Sequence, residues 1–366
     1  MIPLFQQYPL LSEKLPYTPL ADLPTPVEQL ERTGREIGLD SLYIKRDDLS
    51  GRLYGGNKVR KLEFLLGEAL RSGAREVLTF GFAGSNHALA TAIYARELGL
   101  KSISMLMPQP NARYVRRNLL MSYECGAELH HGRSIPILAC ATFYQQLRHR
   151  LIRGSFPVMV PAGGSSTPGA TGFVNAALEL RDQIIGGQMP EPHVVYLALG
   201  TSGTASGLML GLKAAGLQSR VVCVAVAPER FANASRTAGL HNKIASYLHS
   251  LDPSFPEHNM GAEEVDIRHG FFGKGYAHFT QQGMEAVNLV KETDGIKLEG
   301  TYTGKAFACL IDDARKGQLK GKTVLFWNTH NSREFPDAVD SIDYRRLPRP
   351  FHRYFEQDVQ PLDREQ

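Results

Sequence analysis

The sequence predicts an α/β fold of open, mostly parallel twisted sheets covered by helices, and three observations predict it. Short runs rich in Val, Ile, Leu and Phe alternate with helical patterns through the middle of the chain. These runs are almost continuously apolar, as strands buried on both faces are. Each gives way to a turn of Gly, Ser, Thr or Asn that opens a helix, and in such sheets ligands sit at the carboxyl ends of strands. A chain of 366 residues can build two domains or one large α/β unit.

The elements follow in chain order. "GRLYGGNKVRKLEFLLGEAL", Gly51 to Leu70, sets two glycines and Asn57 before Lys58, which opens an amphipathic helix. Leu62, Leu65, Leu66 and Ala69 form its buried face, and Arg60 and Lys61 are expected on its solvated one. "EVLTFGF" then leads into "SNHALATAIYARELGL", where Ser85 and Asn86 stand at N-cap positions. One cap explains only one of them, so free N–H groups there could hold a carboxylate; His87 reads equally well as a buried histidine. "SISMLM" precedes "NARYVRRNLLMSYECGAEL", and "PVMVPAGG", containing Gly164, precedes "TGFVNAALELRDQI". "HVVYLALG" leads into "GTSGTASG", Gly200 to Gly207, and "RVVCVAVAP" into "ASRTAGLHNKIASYLHSL". The stretch from residue 344 to 366 is rich in Pro, Arg and aromatics without periodicity and reads as an irregular C-terminal tail.

Composition excludes several classes. A net charge of +4 without a basic, aromatic-interleaved stripe gives no footprint for nucleic acid. The longest uncharged run, Val194 to Leu212, is interrupted by small polar residues and makes no membrane helix. The N-terminus carries no signal-peptide pattern. Cys125, Cys140, Cys223 and Cys309 are far apart with no ligand spacing, which implies reduced thiols, a cytoplasmic setting and no metal.

Two motifs carry chemistry. Lysine loses its proton readily when buried or at a helix N-terminus, and the neutral amine forms a Schiff base with an aldehyde. In "GTSGTASG", small residues let backbone N–H groups converge on one spot at a helix N-terminus, a cradle for phosphate, and Thr201, Ser202 and Thr204 add hydroxyl donors. The turn matches neither Walker A nor GxGxxG, and close helix packing explains such a turn equally well. An aldehyde-binding lysine, glycines that leave room for a flat ring and a phosphate cradle together suggest pyridoxal 5'-phosphate. A nicotinamide-dependent oxidoreductase lacks its fingerprint here. A non-catalytic protein that binds the cofactor or an amino acid would not need Lys58.

The blocks "IKRDDLSGRLYGGNKVRKLEFLLGEA", "GSNHALATAIYARELGL", "PAGGSSTPGATGFVNAALEL", "ALGTSGTASG" and "GTYTGKAFACLIDDARKG" resemble, in order, the pyridoxal-phosphate-dependent D-cysteine desulfhydrase and 1-aminocyclopropane-1-carboxylate deaminase family. The resemblance runs from about Pro24 to Asn328. It implies a two-domain, tryptophan-synthase-β-like fold of type II, with residues 62–167 as a small α/β domain and 1–61 plus 168–366 as a large one. It also implies a homodimer acting on a small amino acid. Lys58 then corresponds to the Schiff-base lysine, with Asn57 beside it, and Asn86 to the residue at the cofactor's phenolic oxygen. Ser85, with Asn86, His87 and Gly164, falls where the substrate's carboxylate binds. Gly200, Thr201, Ser202, Gly203 and Thr204 match the phosphate loop, and Tyr276 and Tyr302 two tyrosines of the substrate site. Thr303 stands where the deaminases carry a glutamate that keeps the pyridine nitrogen protonated. A hydroxyl holds that proton less firmly, so the resemblance favours β-elimination from D-cysteine over cyclopropane opening, with a cysteate sulfo-lyase as a further alternative. The family's "HTGG" is replaced by "NTHN", which puts His330 and Asn331 where glycines let backbone approach the ligand.

Overall fold

The computed structural model describes residues 1–336, 339 and 341–364. Its strands are β1 (Val27–Gln29), β2 (Leu42–Lys45), β3 (Glu76–Phe82), β4 (Lys101–Met107), β5 (Glu128–His131), β6 (Val158–Val160), β7 (Val194–Leu199), β8 (Arg220–Ala225), β9 (Asp266–Arg268) and β10 (Val324–Trp327). They form a six-stranded sheet, β1-β2-β10-β7-β8-β9, and a four-stranded sheet, β5-β4-β3-β6. Every pairing is parallel except β1 with β2. The α/β class read from the sequence is the one observed, and the apolar runs become β3, β4, β6, β7 and β8. β1, β2, β5 and β9 are only three or four residues long and partly polar, so they give too short a pattern to read.

β7 at the centre is buried at all six positions, which explains its lack of alternation. Helix Gly203–Ala214 follows it and packs on helix Thr167–Ile185. A Cβ on Gly207 would lie 2.1 Å from the Ala170 carbonyl oxygen, and one on Gly211 would lie 2.6 Å from the Ala177 Cβ. These two glycines therefore set the close approach of the helices.

Arg60 and Lys61 correct the sequence reading: both are buried. The helix Lys58–Arg71 has no solvated face at its start, because helix Thr167–Ile185 lies against the side expected to be wet. Gly172 comes so close that a Cβ there would sit 2.1 Å from the Arg60 carbonyl oxygen. The Arg60 guanidinium bonds both oxygens of Asp47 at 2.7–3.0 Å and both of Glu179 at 2.9–3.0 Å. Glu179 also accepts from Lys45 Nζ at 2.6 Å, and Asp47 from Trp327 Nε1 at 2.8 Å. Burial alone would raise the Glu179 pKa, but Arg60 and Lys45 outweigh it and hold the carboxyl down at about 2.

The tail is the second correction. It is not irregular: Tyr344–Arg346 and Arg349–Phe351 form 3₁₀ turns, and Arg353–Glu356 and Pro361–Arg364 form short helices. Phe351 and Tyr354 are buried in a cluster shared with Val115 and Leu119 of helix Arg113–Glu124. Arg116 Nε donates to the Tyr354 carbonyl at 2.7 Å. The last two residues of the predicted tail lie outside the described ones.

Replacing Glu179 with Gln leaves two buried cations short of their counter-charge, so E179Q should lose about 3–5 kcal/mol, read from urea denaturation. The wild-type contribution of this carboxylate follows its depressed folded pKa. Between about pH 2 and the ordinary 4.5 the unfolded chain binds more protons, so the stability is complete above 4.5 and lost as pH falls towards 2. Acid titration of the denaturation midpoint, flatter in E179Q than in wild type, checks the sign.

Candidate active site

One cavity of about 300 Å³ opens where strands end and helices begin. Phe80–Phe82 line it from the end of β3, residues 161–163 and Ser165 from beyond β6, and Ala198–Ala205 from β7 and its turn. Ala227 and Pro228 close it beyond β8, and Thr329 and His330 beyond β10. The turn residues 55–58 bring the Lys58 helix to the same point. Gly56 has φ of 88°, and its N–H donates to the Asp47 carbonyl at 2.7 Å; a Cβ there would come within 2.9 Å of two carbonyl oxygens. This is why a glycine precedes the Asn57–Lys58 pair.

Lys58 is the first residue of its helix, and burial lowers its pKa to about 8. A neutral fraction of roughly a tenth to a quarter at physiological pH, far above that of an ordinary lysine, makes it a nucleophile towards an aldehyde. Lys61, one turn on, also lines the cavity. Burial, and then the charge of Lys58, push its pKa well below the ordinary lysine value; its Nζ donates to the Gly163 carbonyl at 3.1 Å. His87 reaches the cavity wall with neither ring nitrogen in a well-formed hydrogen bond. Burial, followed by Lys58 and Lys61, drives its pKa well down, with only the Pro161 carbonyl opposing, so the ring is neutral.

Opposite stands the turn Gly200–Thr204, leading into a 12-residue helix. Ser202 adopts φ of 67°, a left-handed residue of the kind that lets successive N–H groups converge on an anion. Ser165 Oγ accepts from Gly203 N at 3.2 Å, and Thr204 Oγ1 from Asn57 Nδ2 at 2.9 Å, so the cradle is tied to the turn that carries Lys58. A cradle at a helix N-terminus, a lysine with a lowered pKa and unpaired histidine nitrogens fit a flat aldehyde that carries a phosphate.

Ser85 and Asn86 line the cavity as expected. Ser85 is the N-cap of helix Asn86–Glu97, accepting from Ala88 N at 3.2 Å, and Asn86 Oδ1 accepts from Asn118 Nδ2 at 2.9 Å. Tyr276 and Tyr302 meet at the wall with their hydroxyls in direct hydrogen-bond contact. Burial raises both pKa values, that of Tyr276 to about 12.

Three expected residues are placed differently. Thr303 does not line the cavity; it is the first residue of helix Thr303–Arg315, and its hydroxyl accepts from Glu299 N at 2.9 Å. The carboxylate on the wall is Glu299, whose oxygens accept from Thr301, Tyr302 and Thr303 N at 2.7–2.9 Å. Gly164, with φ of 64°, stands behind the wall, where a Cβ would press on Lys61 and His87 at 3.2–3.3 Å. Asn331 faces the Lys58 turn instead of the cavity, its Oδ1 accepting from Gly55 N at 2.6 Å. His330 does reach the wall. Sequence reasoning also missed Lys61, Glu299 and Gln360. Lys61 was recoverable from its three-residue spacing to Lys58, which places both on one helix face.

Gln360 acts from the tail. Its Oε1 accepts from Phe279 N at 2.7 Å and its Nε2 donates to the Ala277 carbonyl at 3.0 Å. Ala277 has φ of 60°, so this amide holds a strained loop one residue beyond Tyr276.

A pyridoxal-phosphate dependent enzyme family model matches residues 19–330. A Pyrococcus horikoshii protein, named provisionally as a 1-aminocyclopropane-1-carboxylate deaminase, is 36% identical over 320 residues, 87% of this chain and 93% of that protein. A Klebsiella pneumoniae protein named D-cysteine desulfhydrase is 32% identical over 324 residues, 86% and 94% of the two chains. The solved structure of a homologue of the cyclopropane-carboxylate deaminase superposes with a TM-score of 0.75 at 33% identity, covering 91% of this chain and 98% of that one.

Two outcomes are expected from this geometry. Trapping an aromatic aldehyde on the apoprotein with borohydride should accelerate about tenfold per pH unit up to the Lys58 pKa near 8 and level off above it. Gln360→Leu should remove two hydrogen bonds of about 1 kcal/mol each and lower kcat/KM roughly tenfold or more, with the circular dichroism spectrum unchanged.

Proposed function

We propose that this chain, which belongs to the pyridoxal-phosphate-dependent enzymes in the branch of 1-aminocyclopropane-1-carboxylate deaminases and D-cysteine desulfhydrases, is a D-cysteine desulfhydrase that releases pyruvate, sulfide and ammonia. Pyridoxal phosphate is its cofactor, and the chain is a cofactor-dependent lyase of this family. The single observation supporting D-cysteine is the residue at 303, a threonine where the resemblance places the deaminases' glutamate. Residue 303 therefore brings no carboxylate to hold a proton on a ring nitrogen, and the cavity's one carboxylate among the described residues, Glu299, is oriented instead by three backbone N–H groups. Expelling a thiolate from Cβ after loss of an acidic Cα proton demands a weaker electron sink than opening a cyclopropane.

The bound cofactor supplies an aldehyde for the substrate's amino group and a ring that accepts the electron pair left at Cα. The protein's own residues do the rest. The Gly200–Thr204 turn and Lys61 would hold the phosphate. Asn86 would lie at the cofactor's phenolic oxygen, and Ser85, at the N-terminus of its helix, would take the substrate's carboxylate. Lys58 Nζ, neutral in part at pH 8, would remove the Cα proton. The Tyr276–Tyr302 pair, protonated at neutral pH, would stand beside the departing sulfur. Movement of the unit 62–167 over the cavity would exclude water from these steps. The absence of ligand-spaced cysteines supports a cytoplasmic setting.

The test is a product assay of the holoenzyme on D-cysteine, L-cysteine, 1-aminocyclopropane-1-carboxylate and cysteate, with Lys58→Ala as control. Pyruvate and sulfide from D-cysteine, lost in K58A, are expected; 2-oxobutyrate from the cyclopropane substrate would overturn the assignment in favour of the deaminase.

A further inference from the structure

A second cavity of about 190 Å³ adjoins the first, and Tyr54, Asn86, Glu299 and His330 line both. It lies between helix Arg113–Glu124 and the segment that follows β10. Three cations line it, Arg117, Lys297 and Arg333, against two carboxylates, Glu299 and Glu334. Glu299 is oriented by three backbone N–H groups, and Glu334 Oε1 pairs with Lys297 Nζ at 2.7 Å. Arg333 donates from Nε to the Gly51 carbonyl at 2.9 Å and from Nη2 to the Leu49 carbonyl at 3.1 Å, which positions its guanidinium without cancelling the charge. The Arg117 guanidinium lies over the Phe335 ring at 5.2 Å.

His330 Nδ1 and Ser332 Oγ, on the same wall, are buried with no hydrogen-bond partner, although such groups are nearly always satisfied in a folded interior. Burial lowers the His330 pKa, with Glu299 and Asp48 opposing, so the ring is neutral and carries one N–H to donate. The second cavity also meets the tyrosine pair: Tyr114 lines it, and its hydroxyl accepts from Oγ1 of Thr301, the neighbour of Tyr302, at 3.2 Å.

We propose that this second cavity is a subsite for the β-substituent of the substrate and takes one that ends in a carboxylate, so that the preferred substrate is a cysteine thioether with a short acidic tail. This substrate class rests on the β-elimination chemistry proposed for the site. The Cα proton goes to Lys58 Nζ, its electron pair forms the Cα–Cβ double bond, and the Cβ–S pair leaves with sulfur as a thiolate. One water then completes the release of pyruvate and ammonia. Free cysteine ends at the sulfur and leaves the second cavity unused. A carboxymethyl tail adds a methylene and a carboxylate, which 190 Å³ holds with room for water at about 30 Å³ a molecule. Guanidinium groups match a carboxylate in shape as well as charge. Arg117 and Lys297 are exposed residues, so the outer side of the tail stays hydrated and the desolvation cost of a fully buried pair is avoided.

Titration of the holoenzyme with S-carboxymethylcysteine and its neutral near-isostere S-carbamoylmethylcysteine, each as both enantiomers, tests the subsite. The shift of the cofactor's visible band reads Kd, and a pyruvate assay reads kcat/KM. The acid should bind about tenfold or more tighter than the amide, and that ratio should fall below about threefold in Arg117→Gln. Ser332→Ala, which removes a donor and no charge, should weaken binding of the acid about tenfold. Both variants should keep the visible band, and the wild-type comparison decides even where a variant does not fold. An acid that binds no tighter than the amide, or that keeps its full advantage in both variants, overturns the subsite. Tighter binding of the acid with no pyruvate from it or from D-cysteine supports the subsite and removes the desulfhydrase; pyruvate from D-cysteine with acid and amide bound equally does the reverse.

Discussion

The Arg60 guanidinium, held in a dry interior between Asp47 and Glu179, is the constraint on which the rest of the site depends. Asp47 follows β2, Lys45 belongs to β2, Trp327 ends β10, and Glu179 sits on the helix that covers the sheet. Each sends its polar group to this one network. Replacing such a network with well-packed apolar side chains often costs nothing in stability. An apolar seam, however, tolerates small rotations of a helix, whereas a planar fork bonded to two carboxylates accepts one orientation. Lys58 lies two residues before Arg60, so that orientation fixes where its amine emerges.

Charge in the cavity points the same way. Two lysines, Arg236 and two histidines line a space with one carboxylate, Glu299, among the described residues. Burial without a counter-ion depresses both lysines, which means that the folded chain is short of negative charge here. A phosphate at the Gly200–Thr204 turn supplies it, relieving Lys61 and using the helix N-terminus that already faces the same spot. The depressed pKa of Lys58, useful for reacting with an aldehyde, and the affinity for an anion thus share one cause.

What the sequence made legible was local. β3, β4, β7 and β8, each six or seven residues long, read correctly because their apolar runs exceed the noise of a short window. Lys58, Ser85, Asn86 and the phosphate turn were legible because each motif is contiguous. Arg60 and Lys61 were misread because the helix pattern says which face is apolar, not whether another helix covers the opposite one; Glu179, which neutralises Arg60, is 119 residues away. Gln360 was invisible for the same reason, its partners lying about 80 residues upstream. Glu299 was missed for another reason. The motif located the helix start, but which side chain near the first turn reaches the cavity depends on how the chain enters the helix, and here Glu299 turns in to cap it.

That capping gives Glu299 a structural consequence beyond charge. By accepting from Thr301, Tyr302 and Thr303 N it fixes the backbone on both sides of Tyr302, while Gln360 fixes the backbone just beyond Tyr276 from the opposite side. The two hydroxyls meet between these clamps. Hydroxyl contact between tyrosines costs conformational freedom in two long side chains, and rigid backbone at both ends lowers that cost before any ligand arrives. The pair is therefore preorganised from both sides, by Glu299 on the cavity wall and by Gln360 on the C-terminal tail, beyond the stretch that the family model matches.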